Sequence, residues 1–217
     1  DSYFQTYIDL EIKAEGIIRK IPSFSRFLKT AALSSGEILN YENIASDAQT
    51  PASTVREHYM VLEDTLVGFN LDPWVESKKR KAIKTSKFYF FDIGVLNLIS
   101  GIAPPSDNSS EWGNRFEHFL INEFRCINAY QRRKYKLKYW RSTAGHEVDL
   151  LFGDQAIEFK STKHVSAKHF KGLRALKEEK HFKKFILISR DENERQIDGI
   201  DCLHYETALQ MFWGQSL

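Results

Sequence analysis

The chain has 217 residues, 42% hydrophobic and 28% charged, with a formal net charge of +2. This is an ordinary globular composition, long enough for one large domain or two small ones, and the net charge alone selects no class of partner. Two distant cysteines, Cys126 and Cys202, exclude a disulfide framework and a zinc-ligand set and make a reducing cytoplasm the expected compartment. No apolar run approaches the ~18 residues of a membrane span, no apolar signal core stands at the N-terminus, and the phosphate loop GxxxxGK[ST] is absent.

In chain order, residues 3–20 predict a helix of mixed polarity, and Phe24, Phe27, Leu28 and Ala31 predict a second by their spacing. A short helix fits Tyr41 to Ala48. Thr50 before Pro51 is a start signal for the next, with Val55, Tyr59 and Leu62 as its apolar stripe. Leu66 to Leu71 reads as a strand. A basic stretch holding Lys78, Lys79, Arg80 and Lys81 follows, then a second strand over 88–91, FYFF. Helices followed by two strands that flank a basic loop give the order of a winged helix, although a helical cap with a solvated basic loop would look the same. The segment over 100–110 is dense in Pro, Ser and Asn and is the expected linker. The expected division is therefore a helical or winged-helix domain over 1–100, a linker over 101–111 and a second domain over 112–217.

Beyond the linker, Trp112 to Tyr130 predicts an amphipathic helix with Phe116, Phe119, Leu120, Phe124 and Ile127 on one face. Tyr135 to Arg141 alternates as a half-buried strand does, and residues 147–160, EVDLLFGDQAIEFK, read as a hairpin about Gly153 and Asp154. A basic amphipathic helix follows from Ser166 to Lys180. The apolar run FILIS over 185–189 predicts a covered strand. Ile200 to His204 predicts another strand, and Glu206 to Trp213 a closing helix. The fold class is mixed α/β, with an αβββαβ order in the second domain.

The hairpin carries the chemistry. A two-residue turn pairs Phe152 with Gln155, Leu151 with Ala156 and Leu150 with Ile157. Continued, that register sets Asp149 opposite Glu158 and Glu147 opposite Lys160, all four on one face. Opposed residues have Cβ atoms about 4.5–5.5 Å apart, so two carboxylates there repel unless a cation lies between them. A magnesium ion suits one or two carboxylates with several waters, and Lys160 beside it could orient an attacking water, which is a site for metal-assisted phosphodiester hydrolysis. A hairpin with one polar face and a surface Glu147–Lys160 pair is the plain alternative. Glu117, at the edge of the long helix's apolar stripe, is a further carboxylate able to reach the sheet's end. Arg132, Arg133, Lys134, Lys136, Lys138 and Arg141 before the hairpin, and Lys163, Lys168, Lys171, Arg174 and Lys177 after it, make a local positive field suited to a phosphate backbone. His146 and His164 read as polar surface residues.

Glu117, Asp149 and the run Glu158-Phe159-Lys160, on this element order, resemble the PD-(D/E)XK nuclease superfamily over roughly residues 111–205. A wider resemblance rests on YFQTYI (3–8), KFYFFDIG (87–94), WGNRFE (112–117) and HEVD (146–149). These look like the C-terminal region of a prokaryotic family of AAA+-like ATPases, where a winged helix and a nuclease-like domain follow the ATPase. Val148 stands where the superfamily name implies proline, and the ATPase half is absent from this sequence. The resemblance implies a restriction-endonuclease-like core, Mg²⁺ (or Mn²⁺) on Glu117, Asp149 and Glu158, and Lys160 as the assisting amine. It also implies DNA as substrate, with Lys78, Lys79, Arg80 and Lys81 as wing contacts, and an ATPase domain as partner. The competing expectations are a non-catalytic DNA-binding or regulatory module of such an ATPase, and a protein-interaction module.

Overall fold

The computed structural model describes residues 21–101, 106 and 109–214; the helix expected over 3–20 lies outside them. The chain is mixed α/β and packs as two compact units. The first takes residues up to Asn70 together with Ser86–Pro105; the second takes Leu71–Thr85 and everything from Ser106 onward. Among the described residues, no helix is long and apolar enough to cross a membrane.

The first unit is mostly helical: α1 (Ile21–Leu33), α2 (Tyr41–Ala48), α3 (Ala52–Asp64), the first half of β1 (Gly68–Pro73), β2 (Lys87–Phe90) and α4 (Ile93–Ser100). Phe24, Phe27, Leu28 and Ala31 put α1's stripe into the core, as their spacing predicts. Between α1 and α2, Ile38 makes an isolated bridge to Lys87. Asn40 caps α2 by accepting the Asn43 N–H, and Gln49 closes it in the left-handed conformation, φ 50°. Pro51 then opens α3. Its His58 lies between the rings of Phe24 and Phe27, 5.0 Å from each, and burial holds the imidazole below its usual range. β1 and β2 lie so close that a Cβ on Gly68 would fall 2.1 Å from the Phe88 ring. The sequence gives no separate signal for α4, since its apolar residues continue the aromatic run of β2. Its boundaries are set by Asp92, which accepts the Val95 N–H, and by Gly101 at φ 68°.

In the second unit the second half of β1 is followed by α5 (Ser110–Tyr130), β3 (Lys138–Arg141), β4 (Glu147–Phe152) and β5 (Gln155–Lys160). A 3₁₀ turn (Ala167–Phe170), α6 (Lys171–Lys177), β6 (Lys184–Ser189), β7 (Arg195–Ile197), β8 (Ile200–His204) and α7 (Tyr205–Trp213) complete it. The strand order is β1-β3-β4-β5-β6-β8-β7. β6 lies between β5 and β8 with parallel pairing on both sides and is buried from Phe185 to Ser189, the covered strand its apolar run predicts. On one face Phe124 of α5 meets Phe152, Phe159 and Phe212 of α7. On the other, α6 buries Leu173 and Leu176 against Val148, Leu151 and Ala156.

Residues 71–85, expected in the first domain, belong to the second unit. Asp72 and Pro73 pair parallel with Lys138 and Tyr139, the Trp74 N–H donates to the Tyr139 carbonyl, and Ala82 bridges Ser142. Backbone hydrogen bonds to β3 and its following turn outweigh proximity in sequence, so the segment is a strand and strap of the second unit rather than the free loop of a wing. The later division between the units falls between residues 105 and 106.

Candidate active site

The ladder between β4 and β5 pairs Phe152 with Gln155, Leu151 with Ala156 and Leu150 with Ile157, the register expected from the turn. Alternation fails at Asp149. Against β3, Lys138 pairs with Leu151 and Trp140 with Val148, so β4 holds one residue more than β3 between the two pairs: a β-bulge. Val148 consequently joins the apolar cluster of Leu151 and Ala156 instead of the opposite face, where strict alternation puts it. The Asp149 carboxylate is turned toward β5. Its Oδ2 accepts the Phe159 N–H at 2.8 Å, a donor that an unbroken ladder would direct to Val148.

Asp149 and Glu158 are 3% and 5% exposed, and Lys160 stands between them. Its Nζ is 2.5 Å from Glu158 Oε1 and 3.8 Å from Asp149 Oδ2. Glu158 Oε2 is buried with no hydrogen-bond partner. Burial first, then the Asp149 charge, pushes the Glu158 carboxyl well above its ordinary value, against the pull of Lys160. Desolvation lowers the Lys160 ammonium, but Asp149, Glu158 and the more distant Glu117 outweigh it and hold the amine above its usual range. Glu117 itself is half-buried on α5. Glu147 pairs with Arg141 of β3, 3.0 Å away, and its charge adds to those that raise the Glu158 carboxyl.

Among the described residues, no three carboxylate, imidazole or thiol side chains are gathered as a metal cage. The donor set is two buried carboxylates, one oxygen of them unpartnered, with an ammonium between. That fits a magnesium ion completed by water and substrate phosphate, which takes only one or two carboxylates from the protein.

Two further residues, Gly172 and His169, shape the surroundings of Glu158 and Lys160. Gly172 lets α6 come down onto β4: a Cβ there would be 1.7 Å from the Glu147 carbonyl oxygen and 3.4 Å from Glu158 Oε2. His169 accepts the Ser166 N–H on Nδ1, and burial, with the charges of Lys168 and Lys160, holds it below its usual range. Both sit in a segment that reads only as a basic helix, and no local signal marks either. His146 is half-buried and His164 exposed.

The loop leaving Lys160 is anchored by Asp191, 5% exposed. Its carboxylate accepts the Val165 N–H at 2.8 Å and both terminal nitrogens of Arg195 at 3.2 Å. The Val165 hydrogen bond leads the causes that hold its carboxyl down at about 2, below the ordinary 3.8. With the folded value depressed, this stabilisation is present above pH 3.8 and is lost as pH falls toward 2. Asp191→Asn is expected to cost about 2 kcal/mol in urea unfolding and to remove hydrogen-exchange protection at the Val165 amide.

The expected wing cations are in two states. Arg80 is engaged by the protein, donating to the Ala175 carbonyl and to Glu178 at 3.0 Å. The Lys78, Lys79 and Lys81 side chains are exposed, while the backbone N–H groups of Lys78 and Lys79 are held by Glu179. Charge is divided unevenly. Over the described residues the first unit has four Lys and Arg against seven Asp and Glu, and the second has 24 against 17.

Residues 1–106 match a family described as a domain of unknown function, DUF8612, and residues 112–207 match another, DUF4143. The chain is also similar to uncharacterized proteins of Mycobacterium bovis and Mycobacterium tuberculosis. Each is 23% identical over 152 residues, covering 69% of this chain and 34% of the relative. The chain thus spans about a third of the length of the curated relatives it matches. No solved structure matches it.

Proposed function

We propose that the second unit is a metal-dependent nuclease acting on DNA, in a protein associated with an AAA+-like ATPase. The observation that carries this reading is the meeting of Asp149, Glu158 and Lys160 at the β4 bulge, with a buried Glu158 oxygen left unpartnered. Asp149 and Glu158 would hold Mg²⁺ or Mn²⁺, and Glu117 would add a third carboxylate directly or through water. The ion, when bound, supplies Lewis acidity toward the phosphodiester and a more acidic water. Lys160 holds its proton beside both carboxylates and can position the attacking water or stabilise charge developing on the phosphate. The αβββαβ order of α5 through β6 and the excess positive charge of the second unit support the same reading. DUF4143-type domains are commonly associated with AAA-type ATPases, which supports the proposed partner.

The first unit's order of three helices and then two strands, with Ile38 bridging β2, supports a winged-helix reading. Its α3 nevertheless exposes Ser53, Arg56, Glu57, Met60 and Asp64, a single cation among two acids. We therefore assign the phosphate contacts to the second unit, Lys78, Lys79 and Lys81 among them, with salt-sensitive affinity. This same acidic helix favours the second reading, a regulatory module in which the first unit contacts a protein.

The test is Mg²⁺ calorimetry on the chain and its Asp149→Ala/Glu158→Ala variant, followed by cleavage of a DNA panel. Binding by the parent with loss in the variant, and Mg²⁺-dependent cleavage lost in Asp149→Ala, are expected. Full cleavage by Asp149→Ala overturns the reading.

A further inference from the structure

The basic residues before the hairpin do not all serve the site. Asp149 lies three residues from Phe152, about 10 Å along the strand, and Lys160 lies at the same far end of β5. At the turn end, Tyr135 packs edge-on against Phe152 at 5.1 Å, and a Cβ on Gly153 would be 3.1 Å from the Tyr135 ring. The segment joining α5 to β3 is therefore seated at the opposite end of the hairpin from the carboxylates.

This segment is built and not merely basic. Asn128 clasps Tyr135 twice, donating to its carbonyl and accepting its N–H, both at 3.0 Å. Arg133 donates to Gln131 and to the Phe212 carbonyl. Arg132 and Lys134 hold left-handed backbone, φ 53° and 58°, a conformation unfavourable for side chains of this kind and kept only by surrounding structure. The result is that Arg132, Lys134 and Lys136 project into solvent. Among the described residues none of the three has an ion-pair partner, unlike Arg174 with Asp198 or Lys183 with Asp154. No acid occurs between Ala129 and Trp140. Beside these cations Tyr130 is 78% exposed, its ring 6.0 Å from that of Trp213, whose indole N–H is fixed by Glu123.

We propose that this surface binds a single-stranded nucleic-acid segment, with a base stacked on Tyr130 and phosphates on Arg132, Lys134 and Lys136. Unneutralised cations on a fixed backbone beside an exposed ring combine the two elements such binding uses, an electrostatic track and a stacking platform. A duplex keeps its base faces covered and would engage only the cations. The surface is separate from the carboxylate site and acts whether or not that site cleaves.

The test is fluorescence anisotropy of the full chain with dye-labelled ~15-nucleotide oligothymidine, oligouridine and a duplex of equal length. EDTA is present throughout, so the cleavage chemistry plays no part and its failure would be a separate result. Both single strands are expected to bind more tightly than the duplex. Tyr130→Ala should weaken single-strand binding about tenfold, while Tyr130→Phe keeps it. Arg132→Ala/Lys134→Ala should weaken it and make the log K against log salt slope shallower by about 1.4. A gap between the thymidine and uridine strands would assign the natural source as DNA or RNA within the proposal. Absence of single-strand binding, preference for the duplex, or loss in the double variant with none in Tyr130→Ala would each overturn it, the last by revealing a plain polyanion patch.

Discussion

Gly172→Ala is expected to destabilise the protein by about 3 kcal/mol, although alanine is the better helix former by about 1 kcal/mol. Gly172 lies in α6, and its Cβ would have to occupy a point 1.7 Å from the Glu147 carbonyl oxygen. That obstacle is strand backbone and cannot swing aside. Accommodation requires α6 to rise, which opens the cluster of Leu173, Leu176, Val148 and Leu151 and loosens the cover over Glu158 Oε2, 3.4 Å from the same point. Thermal unfolding should shift down by about 10 °C. A melting temperature equal to or above the parent's would mean that α6 does not seat on β4 in solution.

Lys160→Met should cost about 2–3 kcal/mol near neutral pH. Removing one partner of a buried charge set is strongly destabilising, but Lys160 keeps 34% of its side chain in water, so the full figure for a buried pair is discounted. The variant leaves Asp149 and Glu158 facing each other with no ammonium between. The pH dependence has a definite sign. Burial and Asp149 raise the Glu158 carboxyl above 4.5 in the folded state, so between 4.5 and that raised value the folded chain binds more protons than the unfolded one. Stability therefore falls as pH rises through this window, opposite in sense to the contribution of Asp191. In the Lys160→Met variant the fall should extend to higher pH than in the parent, since the amine no longer holds the Glu158 carboxyl down, and Glu158→Gln should remove the slope. Denaturant unfolding between pH 4.5 and 8 checks both; a pH-independent cost for Lys160→Met would mean that the two carboxylates do not share their charge through this amine.

The elements with strong periodicity were legible. The α1 and α5 stripes, the β6 run and the Gly153–Asp154 turn each follow from local spacing, and the turn sets the first three pairs of the β4–β5 ladder. The members of the candidate site were legible for the same reason, since a two-residue hairpin brings Asp149 near Glu158 and Lys160 whichever elements surround it. What periodicity missed was short or borrowed its pairing from elsewhere. β7 is three residues long, α4 is masked by the aromatic strand before it, and the helix expected over 166–180 divides into a 3₁₀ turn and a seven-residue α6.

The aiming of the site was not local. A bulge is a mismatch between two strands, and β3 contributes half of it, so nothing within residues 147–160 announces that Val148 and Asp149 leave strict alternation. The burial of Glu158 depends on Gly172, and the loop beyond Lys160 depends on Asp191 and Arg195, which the chain brings in from later elements. Residues 71–85 follow the same rule: their composition reads as a solvated basic loop, and hydrogen bonds from the Trp74 N–H to the Tyr139 carbonyl and from the Ile83 N–H to the Arg141 carbonyl make them part of another unit. Composition and spacing by themselves determined the mixed α/β class, most helices and strands, and which acids and amine share a hairpin, because these depend on neighbours within a few residues. The tertiary structure alone decided which way Asp149 turns, how deeply Glu158 is buried and which unit owns the basic strap, because each depends on backbone supplied from a distant part of the chain.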